Sequence, residues 1–87
     1  MTCVVLRPRT MEGLKSAPNK YRQRINKSLD MLRNGLFPPH TKKLEGVPDG
    51  YRTRVGRWRI LFVLHDQKID VADIFLKKGV GDYRRRQ

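Results

Sequence analysis

Eighty-seven residues with 38% hydrophobic content leave room for one small core, and a formal charge of +12 narrows the choice of partners. A chain this short is near the lower limit for a self-sufficient domain, so residues 1–87 are expected to form a single unit. Such an excess of positive charge repels itself and favours polyanions: nucleic acid, an acidic protein, or an anionic surface. It is spread through the chain, with ten Lys and Arg in residues 1–48 and ten in residues 49–87. No apolar run approaches the roughly 20 residues of a membrane span, so no membrane partner is expected. Met1 to Leu6 is too short for the apolar stretch of a signal peptide, and a single cysteine offers no disulfide framework. A cytoplasmic protein is the expectation.

Cys3-Val4-Val5-Leu6 reads as a first strand, β-branched and continuously apolar, which points to an interior place in a sheet and a buried Cys3 thiol. Pro8 ends it. Thr10 is the expected N-cap of a first helix that uses Met11 and Leu14 as apolar contacts and is weakened by Gly13. The second helix starts near Pro18, which suits a first turn. Tyr21, Ile25, Leu29 and Leu32 recur at steps of four, four and three, a single helical stripe. Gly35 follows as its C′ residue. Lys20, Arg22, Arg24 and Lys27 fall largely off the stripe and read as a solvated face. The two helices, joined near Ser16-Ala17, form a hairpin that covers the sheet.

Phe37-Pro38-Pro39-His40 is extended, because proline disfavours a helical residue before it. Lys43-Leu44-Glu45-Gly46 leads to the turn Pro48-Asp49-Gly50. Then comes the stretch from Tyr51 to Leu64, where strict alternation meets a turn signal. With Gly56-Arg57 at the turn, glycine first as a type II′ turn prefers, Val55 opposes Trp58. Arg54 then opposes Arg59, Thr53 Ile60, Arg52 Leu61 and Tyr51 Phe62. One face carries Tyr51, Thr53, Val55, Trp58, Ile60, Phe62 and Leu64. The other carries Arg52, Arg54 and Arg59, grading into Leu61 and Val63. A one-residue slip would mix the two, so the pattern fixes the register.

The arginine cluster weakens the hairpin by roughly a few tenths to 1 kcal/mol per directly opposed pair. Either the guanidinium groups splay into solvent while their stems cover apolar surface, or an anion belongs between them. Ile69 to Leu76 forms the last strand, in which Asp70 and Asp73 do not fit one alternation. A bulge, or a salt bridge from Asp73, would reconcile them. Lys77-Lys78-Gly79-Val80-Gly81-Asp82-Tyr83 opens a basic tail. The order is one strand, two helices and three antiparallel strands: an α+β fold with a small antiparallel sheet of about four strands and an N-terminal helical hairpin on one face.

If the anion between the arginines is an RNA phosphate, metal-free cleavage would ask for a deprotonated ribose 2′-hydroxyl, a balanced phosphate charge and a protonated leaving 5′-oxygen. No His, Cys, Asp and Glu cluster has metal-ligand spacing, so neither a metal nor another cofactor is expected. His40 and His65 lie on opposite sides of the hairpin in sequence; a two-histidine nuclease is one reading, scattered solvent-facing histidines the other. Arg52, Arg54 and Arg59 can stabilise a transition-state phosphate, but arginine is a poor proton carrier. Lys77, Lys78 and Tyr83 are the proton-transfer candidates; a lysine crowded by several arginines would have its pKa lowered toward a useful value.

The Leu44-Glu45-Gly46 step, the strand Tyr51-Arg52-Thr53-Arg54-Val55-Gly56, the Trp58-Arg59-Ile60 return and Tyr83 near the end together resemble the RelE/ParE superfamily of bacterial toxin–antitoxin toxins. The resemblance covers nearly the whole chain. It implies a ribosome-dependent messenger RNA endonuclease of the RelE-like kind, acting in the ribosomal A site and neutralised by a cognate antitoxin. The site it implies comprises Arg59, Lys77, Lys78 and Tyr83 for catalysis and Arg52, Arg54, Arg57 and Lys43 for RNA phosphates. The best-known RelE-like pattern has lysines where this chain has Arg52 and Arg54, and an arginine near Lys77-Lys78; the latter step is closer to the HigB-like subgroup. A ParE-like gyrase inhibitor, or a basic nucleic-acid-binding module without catalysis, are the alternative readings.

Overall fold

A computed structural model describes residues 2–77 of the chain. Its elements are β1 (Cys3–Leu6), α1 (Pro8–Ser16), α2 (Asn19–Arg33), β2 (Thr41–Lys43), β3 (Gly50–Val55), β4 (Trp58–His65) and β5 (Lys68–Leu76). The five strands form one sheet in the order β1-β5-β4-β3-β2.

The central hairpin has the register that alternation dictates. Val55 pairs with Trp58, Arg54 with Arg59, Thr53 with Ile60, Arg52 with Leu61 and Tyr51 with Phe62. Gly56 takes a φ of +61°, as the first turn position requires, and a Cβ there would come within 2.8 Å of the Tyr21 ring. The turn is thus tucked beneath α2, and glycine is needed for two reasons at once.

The α2 stripe also forms as its spacing directs. Ile25, Leu29 and Leu32 are essentially completely buried, against Val55, Trp58, Ile60, Phe62, Ile69, Val71 and Ile74 of the sheet. Each of these aliphatic side chains contributes about 1.5–3 kcal/mol of transfer free energy. The helix ends in a Schellman arrangement: the Gly35 amide donates to the Leu32 carbonyl at 3.0 Å and the Leu36 amide to the Met31 carbonyl at 2.9 Å, with Gly35 at φ +75°. Arg22, expected on a solvated face, instead donates to the carbonyls of Lys15 and Ala17 at 3.1 and 3.0 Å and braces the α1–α2 junction.

Other sequence expectations also need correction. The sheet has five strands and is mixed, because β1 runs parallel to β5, pairing Cys3 with Lys68 through Leu6 with Val71. The added strand is β2, three polar residues whose pattern is too short to declare itself; it pairs Lys42 with Arg52 and Lys43 with Tyr51. β1 is an edge strand, not an interior one, and Cys3 at its start is exposed. Its apolar residues Val4 and Leu6 still pack on the core from that edge. Thr10 is not the N-cap, since α1 begins at Pro8. Its buried hydroxyl donates to the Val71 carbonyl at 2.7 Å.

That bond shows how the β5 edge is managed. β1 covers residues 68–71 of β5, and α1 lies along the remainder of the strand. A Cβ on Gly13 would meet the Ile74 carbonyl oxygen at 1.9 Å. Gly13 lowers helix propensity, but only glycine lets α1 approach the strand this closely. A helix laid over exposed carbonyls also blocks edge pairing with another chain.

The conflict between Asp70 and Asp73 is resolved by a bulge. Leu61 pairs with Asp73 and Phe62 with Val71, so Ala72 is the extra residue of β5. Asp73, almost fully buried, pairs with Arg9 of α1 at 3.4 Å. Asp70 receives a two-pronged contact from Arg7, whose Nε donates to Oδ1 at 3.1 Å and whose Nη2 donates to Oδ2.

Candidate functional site

Alternation along three neighbouring strands decides which side chains leave the face opposite the helices. Arg52 and Arg54 leave it from β3 and Arg59 from β4. Lys42 leaves it from β2, because it pairs with Arg52. Beyond β5, the Lys77 amide donates to the Arg57 carbonyl at 2.8 Å, which extends the ladder by one residue. With Leu76 opposite Trp58 on the helix side, Lys77 falls on the basic side. The result is a cleft of about 250 Å³ lined by His40, Lys42, Arg52, Arg54, Arg59 and Lys77.

The floor is firm. Leu61 and Phe75, both buried, stand next to Arg52 and Arg59 in the pairing. Arg59, half-buried, is held by the hairpin turn: its Nη1 donates to the carbonyls of Gly56 at 2.9 Å and Trp58 at 3.0 Å. An anchored guanidinium is oriented before any ligand arrives, the condition under which a charged donor is most effective. Arg54 is exposed and contacts the wall of the cleft, its Nη2 lying 3.3 Å from His40 Nδ1.

The structure brings together Arg52, Arg54, Arg59 and Lys77 of the residues expected at the site. Lys43 is not with them. Paired with Tyr51, it leaves the sheet on the side of the Phe37, Tyr51 and Phe62 rings. Arg57 occupies the turn and is absent from the cleft lining. Lys78 and Tyr83 lie outside the described residues.

Two lining residues were outside the expected site: Lys42, which the sequence did not single out, and His40, which it offered only as half of a two-histidine pair. Lys42 is the neighbour of Lys43, and only the pairing of β2 on β3, unreadable from three polar residues, says which of the two faces the cleft. His40 enters because the Pro38-Pro39 segment brings the chain back to β3, where the Arg54 amide donates to the His40 carbonyl at 3.2 Å. The signal for it in sequence was the proline pair alone. His65 is at the far end of β4 from Arg59, about 20 Å away at the usual rise per residue, so the two histidines do not share a site. Among the described residues, no three His, Cys, Asp or Glu side chains gather as metal ligands, and no helix is long and apolar enough to cross a membrane.

No protein-family model matches the chain, and no curated protein matches it. Solved structures do. A chain of the RelB–RelE antitoxin–toxin complex from Methanococcus jannaschii is 26% identical, with 91% of this chain and 96% of that one covered, at a TM-score of 0.79. The isolated E. coli RelE toxin is 16% identical over 98% of this chain and 94% of its own, at a TM-score of 0.78. A chain of the YoeB–YefM complex from Staphylococcus aureus is 20% identical over 90% of this chain and 99% of its own, at a TM-score of 0.69. The fold on which Arg52, Arg54 and Arg59 converge is therefore that of the RelE-like toxins, and the resemblance carried by the Tyr51–Phe62 motif is borne out.

Proposed function

We propose that this chain is the toxin of a toxin–antitoxin pair, and that it halts translation by cutting messenger RNA in the ribosomal A site without a metal ion. The observation that carries this reading is the convergence of four arginine and lysine side chains from the sheet, together with Lys77, on one cleft with a buried floor. Arg54 opposes Arg59 and Lys42 opposes Arg52, so four cationic side chains stand side by side on this face and together favour a polyanion. RNA phosphates are such anions, and the planar fork of arginine suits their oxygens.

In the proposed reaction the ribose 2′-oxygen attacks the adjacent phosphorus and the 5′-oxygen leaves. Arg59, held by the turn carbonyls, stabilises the charge that builds on the phosphate. Arg52, Arg54 and Lys42 bind flanking phosphates. Lys77 is the proton donor to the leaving oxygen, with Lys78 and Tyr83 as further proton-transfer candidates. Lys43 and Arg57 are given no step. The partner in the resting state is an antitoxin, supported by the antitoxin-bound state of two of the similar structures. A net charge of +12 attracts an acidic segment of such a partner.

Arg59→Ala tests the reading. Single-turnover cleavage on programmed ribosomes is expected to slow by about 30- to 1,000-fold, the loss of about 2–4 kcal/mol that follows removal of one preorganised donor. Thermal stability is expected to stay near that of the parent. A folded Arg59→Ala protein that cleaves like the parent would show that this face is not the active site. Pulse-labelling after induction separates the targets: translation stops first if messenger RNA is cut, whereas an immediate stop in DNA synthesis would point to gyrase.

A further inference from the structure

One lining residue of the cleft is neither an arginine nor a lysine. His40 sits on the link into β2 with a φ of +62°, a backbone region that side chains seldom adopt. Its place is fixed from both sides. Ahead of it, the Pro38 carbonyl accepts the Thr41 hydroxyl at 2.6 Å, and that hydroxyl lies 2.8 Å from the Thr53 hydroxyl. Across from it, the Arg54 amide holds its carbonyl at 3.2 Å and Arg54 Nη2 reaches its Nδ1 at 3.3 Å. A guanidinium only donates, so Nδ1 presents its lone pair to Arg54 and the ring proton resides on Nε2. The other groups lining the same cleft are Lys42 on β2, Arg52 on β3, Arg59 on β4 and Lys77 beyond β5. A guanidinium and an ammonium group are donors only. An imidazole is the one side chain of this set whose ordinary chemistry includes accepting a proton there.

We infer that His40 is the proton acceptor for the ribose 2′-hydroxyl, its Nδ1 lone pair uncovered when an RNA phosphate draws the Arg54 guanidinium away. The inference rests on the endonuclease reading above. The 2′-hydroxyl proton passes to Nδ1, giving an imidazolium. The 2′-oxygen forms its bond to phosphorus as the bond from phosphorus to the 5′-oxygen breaks. The products are a 2′,3′-cyclic phosphate and a 5′-hydroxyl that has taken its proton from the Lys77 ammonium group. Exchange of one proton each with water restores both side chains. Arg54 thus has two tasks: it masks the base in the empty cleft, and it exposes the base by binding the substrate.

The test uses two substitutions that tolerate a positive φ, His40→Asn and His40→Gly, so that the backbone of the link is preserved. Cleavage is measured under single-turnover conditions at saturating toxin, across pH, beside ribosome association and thermal unfolding. The parent is expected to lose rate with slope one as the pH falls. His40→Asn is expected to be slower by about 10²–10⁴-fold, the usual contribution of a positioned base, and to lack that limb of the profile. Ribosome association should be unchanged. His40→Gly should regain rate on addition of free imidazole, which a purely structural role for the histidine does not predict. If His40→Asn cleaves at the parental rate with the parental pH profile, the inference is overturned and the endonuclease reading stands. Slow cleavage by a folded His40→Gly that ignores imidazole also overturns it, leaving a positioning role. If the parent itself leaves messenger RNA intact on programmed ribosomes, the endonuclease reading falls first.

Discussion

Thr53 opposite Ile60 and Arg54 opposite Arg59 are successive rungs of the same hairpin. The first pair is completely buried under the helices. The second stands on the open face, where the Arg59 stem is half-buried and Arg54 is exposed. One peptide unit separates a pair that the fold needs from a pair that the fold tolerates. The covered face is chosen by volume and apolar area. The open face places like charges side by side, a choice that stability alone does not make. Stability thus rests on one side of the layer and the proposed activity on the other, and substitutions on the two sides should be separable.

The largest effect should come from the covered face. Phe62 is completely buried among the sheet and helix side chains, and Phe62→Ala is expected to destabilise the protein by about 3–5 kcal/mol in urea unfolding. A domain this small has little reserve, so partial unfolding at ambient temperature is the expected appearance. On the open face the sign should reverse. Lys42 faces Arg52 directly, and Lys42→Glu is expected to stabilise by up to about 1 kcal/mol while weakening ribosome association. A variant that weakens both properties would mean that the two faces are not independent.

The smallest effect tests an edge contact that belongs to neither face's role. Hydrogen bonds from Arg7 hold the Asp70 carboxyl below the usual carboxylate range, and the guanidinium is held above its ordinary value by the same contact. A depressed carboxyl pKa adds stability that is present above the unfolded-state value and is lost as the pH falls through the lower, folded value. Arg7 stays charged throughout that window. The Arg7 end of the pair is exposed to solvent, which screens the contact, so its contribution should be below about 1 kcal/mol. Urea titrations of the parent and Asp70→Asn should differ by that amount at neutral pH and converge in acid. A difference that persists in acid would assign the effect to something other than the ion pair.

What the sequence disclosed follows the same division. From Tyr51 to Phe62 the alternation is strict, so a single register satisfies burial, and the structure has it. The α2 stripe and its Gly35 terminus were equally legible. The rest depended on long-range partners. β2 has three polar residues and no periodicity of its own; it exists because Thr53, Arg52 and Tyr51 offer it an edge. β1 reads as an interior strand because it is apolar, yet it is half-covered at the edge, with β5 on one side. The bulge at Ala72 lets Asp70 and Asp73 depart from one alternation, and nothing in the residues of β5 alone says where the extra residue goes. At the site, the arginine trio was visible because it sits on the strict hairpin. Lys42 and His40 were not, because their direction is set by the pairing of a neighbouring strand.

The parallel pairing of β1 with β5 joins residues 3–6 to residues 68–71. The hairpin β3–β4, by contrast, closes over the two residues Gly56 and Arg57. Chain-closure entropy makes the local pair quick and the distant one slow. During synthesis the first strand has no sheet partner until β5 has been made, so its place in the sheet waits for residues 68–71. The basic hairpin is therefore expected to form before the sheet beneath it is complete. Order of assembly, as much as final stability, then sets when the protein can first act.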